Sequence, residues 1–261
     1  LFFDDTLIHR RGQFPRIFPT PASEAENVVI VVSDVGYRTP YSTLVTNIIP
    51  DLHLLASADA FQCFPYYVYH EDGSGRRENG REVSRWEIFD YVYAVLHHPQ
   101  YRTRYAANLK RDLPHIPLLG DAATFARLSA AGRRLRELHL TYEQAAVYPL
   151  RREFHREVAY TPIVEQMRLS SDKQSLHYNA SLTLHDIPPR CYEYRLGGRS
   201  ALEWVVDQYR VKADKRSGIT NDPNRYGAGE AEYILNLIGR VITVSLATVD
   251  LVAQIGAEEL G

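Results

Sequence analysis

The residues able to do chemistry are few, and their spacing argues mostly against catalysis. Asn221-Asp222-Pro223-Asn224 places a polar side chain beside a proline. In an adenine-methylating loop such a side chain and a backbone carbonyl accept hydrogen bonds from the amine of an extruded base. The segment lacks the second proline and the stacking aromatic, and reads as an Asx-type turn. His97-His98 falls at the end of a helical pattern, where histidine suits the negative end of the dipole. Neighbouring helical residues do not face each other, so a shared metal ion is not expected. The sequence has no HExxH and no GxxxxGK[ST], so neither a zinc-binding helix nor a P-loop is indicated. It also has no GxSxG elbow to expose a nucleophilic serine. Gly197-Gly198 and Gly227-Ala228-Gly229 read as turns. A dispersed hydrolase site using His97 or His98 stays open as an alternative.

Elements must position whatever the chain binds. With 261 residues there is material for one large domain or two small ones. A formal net charge of −2 gives no bulk support to nucleic-acid binding, so a DNA-binding face would have to be a local patch. Cys63 and Cys191 are distant and lack CxxC spacing, pointing to a reducing, cytoplasmic setting without a cysteine-rich zinc site. No unbroken apolar run approaches a membrane span, and no metal or membrane partner is expected. The chain opens at Leu1, and its only methionine is Met167. The expectation is a segment of a longer polypeptide.

Residues 27–33 (NVVIVVS) form a β-branched run suited to a buried strand. Leu52 to Tyr69 reads as one or two strands interrupted at Pro65, and His70 to Arg81 as a glycine-rich surface loop suited to mobility. Ser84 and Glu87 fit a capping box. Behind it, Ile88, Tyr91, Val92, Val95 and Leu96 mark one apolar helical face. A short helix is expected over Tyr101–Leu109. A longer one capped by Asp121 has Phe125, Leu128, Leu135 and Leu138 inside and Arg127, Arg133, Arg134 and Arg136 outside. Val164–Leu169 and Ser175–Leu184 alternate across 171–174 and predict a β-hairpin. Ser200 and Glu203 form a second capping box, opening a helix with Leu202, Trp204, Val205 and Val206. A long helix from about Glu230 to Val252 follows, with Ile234, Leu237, Ile238, Val241, Val244 and Val249 inside. Segregated strands and helices predict an α+β fold with mixed sheet and hairpin elements, a helical subregion and a long C-terminal helix. One domain over 1–261 is expected, β-rich over 1–82, helical over 83–150, and hairpin plus helices over 151–261.

Residues 90–117 (DYVYAVLHHPQYRTRYAANLKRDLPHIP) resemble a segment shared by large adenine-specific DNA methyltransferases. Residues 200–224 (SALEWVVDQYRVKADKRSGITNDPN) and 50–69 (PDLHLLASADAFQCFPYYVY) resemble the C-terminal specificity domain of type ISP restriction–modification enzymes. That resemblance implies a polypeptide with nuclease, ATP-dependent motor, methyltransferase and target-recognition domains in that order, this chain being the last. It implies double-stranded DNA and the methyltransferase domain as partners. It further implies S-adenosylmethionine, ATP and Mg as cofactors of the parent rather than of this segment, and no catalytic residue here.

DNA contact calls for cations to hold phosphates and forked or amide side chains to read base edges. Arg210, Lys212, Lys215, Arg216, Ser217, Asn221, Asn224 and Arg225 supply both kinds within 16 residues, and Gly218 permits a tight turn. A solvated loop is the competing expectation. Arg76, Arg77 and Arg81, with Asn79 among them, form a second candidate loop. Tyr37 and Arg38, expected to be exposed beyond the first strand, form a third. A further alternative is a docking module between motor and methyltransferase, using the arginine-rich face of the Asp121 helix.

Overall fold

The β-branched run forms strand β1 (Val29–Ser33), and all five of its residues are buried. It is the centre of a three-stranded antiparallel sheet between β2 (Thr43–Thr46) and β3 (Phe61–Pro65). Ile30 and Val32 pack with the helical core, while Val29 and Val31 pack with Ile17 and Phe18 on the other side. A strand covered on both faces has no polar alternation, which is why the run is uninterrupted. Asn27 pins its entry: its amide donates to the carbonyls of Ile17 and Tyr67 and accepts from the Tyr67 N–H.

The structure, a computed structural model, describes residues 17–50, 54, 60–69, 83–119, 121–213, 218, 220–227 and 229–260. Glu24 is described by its backbone alone. The fold is α+β. The chain divides into two compact units, one running to Leu140 with Leu196–Gly198 and the stretch from Leu251, the other comprising Thr141–Arg195 and Arg199–Asp250. The glycine-rich segment 70–81 and most of 51–59 lie outside the described residues.

In the first unit, after the short helix α1 (Pro21–Glu26), the scaffold is α2 (Arg85–His97) against α5 (Ala122–Leu140). Both starts are capped as the sequence indicates. Ser84 accepts from the Glu87 N–H at 3.1 Å while Glu87 accepts from the Ser84 N–H, and Asp121 accepts from Ala123 and Thr124. Such caps each stabilise a helix by about 1 kcal/mol. The expected apolar face of α2 needs correction. Ile88 is half exposed, whereas Phe89 and Tyr93 are buried, because the helix packs into its core over a wider and rotated arc. Gly132 of α5 sits where a Cβ would lie 1.8 Å from the Asp90 carbonyl oxygen, so the two backbones touch. Arg136 is also corrected. Instead of facing solvent it pairs with buried Asp90 at 2.6 Å and lies over the Trp86 ring. The expected Tyr101–Leu109 helix is two short ones, α3 (Pro99–Arg104) and α4 (Ala106–Leu109).

In the second unit the sheet order is β4 (Arg151–Phe154), β7 (Leu182–His185), β6 (Leu176–Asn179), β5 (Arg168–Leu169), all antiparallel. The β5–β6 hairpin turns over residues 170–175, within the sequence expectation. The expected second strand, however, breaks at Asn179. That buried amide accepts from the Ser181 N–H and donates to the carbonyls of Thr161 and Ile163, a local closure that competes with straight strand. Leu176, Tyr178, Leu182 and Leu184 pack with Leu202, Ile234, Ile238 and Ile242. These last three belong to α7 (Tyr233–Gly256), whose final residues from Leu251 count with the first unit. By length and composition α7 could cross a membrane, but 56% of its apolar window is buried, as in the core helix of a globular domain.

Candidate nucleic-acid interface

Helix α6 (Ala201–Gln208) begins at Ser200, whose hydroxyl accepts from the Glu203 N–H while Glu203 accepts from the Ser200 N–H. Its apolar side, Leu202 and Val206, is buried in the second unit's core, which fixes the direction of the chain leaving it. That chain forms a two-stranded antiparallel ribbon, β8 (Lys212–Ala213) with β9 (Thr220–Asn221), in which Lys212 faces Asn221 and Ala213 faces Thr220. Gly218 has φ +72, a conformation that favours glycine. After the ribbon, Asp222 accepts from the Asn224 N–H and starts a single 3-10 turn over Pro223–Arg225. The Asn-Asp-Pro-Asn segment is therefore an Asx-type turn.

Three cations converge on one carboxylate at the end of α6. Asp207 accepts from Arg199 at 2.9 Å and from Arg210 at 2.6 Å, and Lys212 lies 3.4 Å away. Burial opposes ionisation of Asp207, but the hydrogen bond from Arg199 and the charges of Lys212 and Arg210 outweigh it. The carboxyl is held below its ordinary range. The Arg199 guanidinium is also placed over the Trp204 ring, 5.8 Å from its centroid. Among the described residues no second carboxylate forms an ion pair with any of these three cations. Arg210 and Lys212 are among the contacts expected from the sequence, whereas Arg199 and Asp207 are not. A weak signal existed, since an acid in the last turn opposes the helix dipole and is followed three and five residues later by cations.

The remaining candidates separate. Arg225 is 85% exposed, with Asp222 at 3.8 Å. Asn221 is exposed, and its side-chain Oδ1 accepts from the Tyr226 hydroxyl. Asn224 is committed to the fold. Its Oδ1 accepts from the Val164 N–H, and its Nδ2 donates to the Val164 carbonyl and to Asp222. Tyr37 is corrected: it is buried in the first unit's core beside Tyr41. The turn at Gly36 (φ +79), whose N–H donates to Lys110, precedes it. Arg38 is exposed. Lys215, Arg216, Ser217, Arg76, Arg77, Asn79 and Arg81 lie outside the described residues.

The histidine pair is hydrogen-bonded into the first unit. His98 caps α3 by accepting from the Gln100 N–H, and its Nε2 reaches the Glu258 carbonyl. Buried His97 bonds the Tyr93 carbonyl through Nδ1, and its Nε2 has no partner among the described residues. No group of three metal-ligating side chains occurs among the described residues. Among the described residues, three arginines of α5 make ion pairs, of which only that of Arg136 is largely buried. Arg127 pairs with Glu258, Arg133 with Glu137 and Arg136 with Asp90.

No curated protein matches the chain. Solved structures do. The Type ISP restriction–modification enzyme LlaGI, a nuclease-deletion mutant in complex with a DNA substrate mimic, is 37% identical over 95% of this chain and 22% of its own, with a TM-score of 0.81. The ATP-dependent Type ISP enzyme LlaBIII bound to DNA is 29% identical over 98% of this chain and 17% of its own, at 0.84. A DrdV–DNA complex is 33% identical over 99% of this chain and 27% of its own, at 0.80. The chain thus spans about a quarter or less of the length of these enzymes. The family model of the Type ISP C-terminal specificity domain matches residues 1–237, and the chain belongs to that family.

Proposed function

We propose that the whole chain is the target-recognition module of a restriction–modification enzyme, binding double-stranded DNA sequence-specifically. It presents the site to an adenine-N6 methyltransferase and a nuclease on the same polypeptide, in the cytoplasm. The observation that carries this is the specificity-domain match over 1–237, together with relatives of closely similar fold solved with DNA or a DNA substrate mimic. Catalysis then belongs to other segments, and S-adenosylmethionine, ATP and Mg serve those segments.

The α6–ribbon–turn segment is the contact surface this reading favours. Arg210 and Lys212 take phosphates, Asn221 and Arg225 reach toward bases, and Lys215, Arg216 and Ser217 between the two strands extend the same set. A two-stranded ribbon is narrow enough for the major groove. Arg38 and the Arg76, Arg77 and Arg81 segment are secondary contacts. Asn224 and Tyr37 drop out, because both side chains hold the fold together. Of the α5 arginines that a docking role would use, Arg136 is taken by buried Asp90, while Arg127 and Arg133 stay more than half exposed beside Glu258 and Glu137.

The test is duplex binding by the parent enzyme across a salt series, with target and scrambled sequences. A DNA reader loses affinity steeply with salt and prefers one sequence, since each neutralised phosphate adds about 0.9 to the log–log slope. Charge reversal at Lys215 and Arg216 is expected to weaken binding without changing thermal unfolding. Unchanged affinity in the folded double variant overturns that contact assignment, and salt-independent binding overturns the function.

A further inference from the structure

Asp207 gathers more positive charge than it can compensate. Among the described residues, Arg199, Arg210 and Lys212 share its single carboxylate, leaving two positive charges over, on a chain whose formal net charge is −2. Their side chains remain 51%, 42% and 38% exposed, against 27% for Asp207, so the surplus faces solvent while its organiser is recessed. Each arginine carries five N–H donors and lysine three. One guanidinium nitrogen of each arginine and the lysine ammonium meet Asp207, which leaves further donors without a partner among the described residues, the Arg210 Nε of these being buried. Three like charges held together repel one another, and an anion seated among them relieves that repulsion.

We infer that Arg199, Arg210 and Lys212 grip one backbone phosphate of the bound duplex, with Asp207 as the positioning residue that keeps them converged. This rests on the DNA-reading function above and adds to it a defined phosphate site and two residues, Arg199 and Asp207. A phosphodiester brings one negative charge and acceptor oxygens suited to guanidinium forks. The site sits at the base of the ribbon, so gripping a phosphate there sets the register of the ribbon without reading sequence.

The experiment uses the parent enzyme and duplexes in which single phosphates are replaced, one position at a time, by neutral methylphosphonate. Wild type is expected to show several positions whose neutralisation weakens binding, and the sensitivity of one of them disappears in Arg199→Gln/Lys212→Gln. The same variant weakens target and scrambled duplexes by equal factors. Between 50 and 200 mM salt it loses about 3.5-fold less affinity than wild type, from one phosphate contact removed. Arg199→Lys, which keeps the charge, retains the sensitive position and guards against loss of folding in the glutamine variant. In Asp207→Asn the cations are free to spread, so sensitivity distributes over neighbouring phosphates. A variant with an unchanged methylphosphonate profile and salt slope overturns the phosphate site, and a profile that stays sharp in Asp207→Asn overturns the positioning role. If wild type itself binds no duplex, the parent function fails instead.

Discussion

Truncation of Asn224 separates two roles that its sequence context makes equally plausible: reading a base or tying the fold. Asn224→Ala removes an acceptor 2.8 Å from the Val164 N–H, a donor 2.8 Å from the Val164 carbonyl, and a donor 2.9 Å from Asp222. Val164 is fully buried, so its two backbone groups are left without these partners. A hydrogen bond contributes about 0.5–1.5 kcal/mol net, and stranding a buried polar partner costs about 1–3 kcal/mol. The expected loss is about 2–4 kcal/mol, lowering Tm by roughly 5–15 °C in a chain of this size. Asn221→Ala removes only a bond from Tyr226 at the surface and should change stability by less than about 0.5 kcal/mol. Circular dichroism melts of both variants, run beside target and scrambled duplex affinities, supply the comparison. An Asn224→Ala protein with wild-type Tm and an altered sequence preference would refute the reasoning, because the amide would then be reading DNA.

Gly132→Ala should destabilise the first unit although alanine is the better helix former by about 1 kcal/mol. The added Cβ meets the Asp90 carbonyl at 1.8 Å, and overpacking costs about 1–3 kcal/mol or more. Gly198→Ala, with open space around it, is the control, and a higher melting temperature for Gly132→Ala would contradict the contact between α2 and α5. Asp90→Ala strands the Arg136 guanidinium in a largely buried site, 14% exposed, and should cost about 3–5 kcal/mol, read as a lower urea midpoint. A midpoint within error of wild type would show the pair to be dispensable. Burial holds His139 down to about 3, and His97, buried and facing Arg102 and His139, well below the ordinary histidine range. Below pH about 6.5 the unfolded chain takes up protons that the fold refuses. Stability is therefore complete above that pH and declines toward the folded values, by up to about 1.4 kcal/mol per pH unit for each histidine. Urea midpoints should fall between pH 7.5 and 5.5, and by less in His139→Gln. An equal fall in that variant would exclude His139 as a cause.

Local signals carried much of the secondary structure. Both capping boxes, the Asp121 cap, the buried β1 run, the β5–β6 turn and the long C-terminal helix are legible because each depends on side chains a few residues apart. The same locality made the Asn221–Asn224 turn readable, and it showed where cations and amides cluster. What each of those side chains touches was not legible. Tyr37 looks exposed until its ring is seen in the core. Arg136 shares its helix with three other arginines yet finds Asp90 across 46 residues, and Asn224 finds Val164 across 60. Asp207, Arg210 and Lys212 lie within the 200–224 string that resembles the specificity domain and Arg199 just before it, and their order gives only the weak signal of an acid followed by two cations. Sequence determined the family and the elements, since capping, periodicity and long matching strings are one-dimensional. Tertiary structure decided which polar groups are engaged by the fold and which face outward, because burial and convergence arise only when distant segments pack.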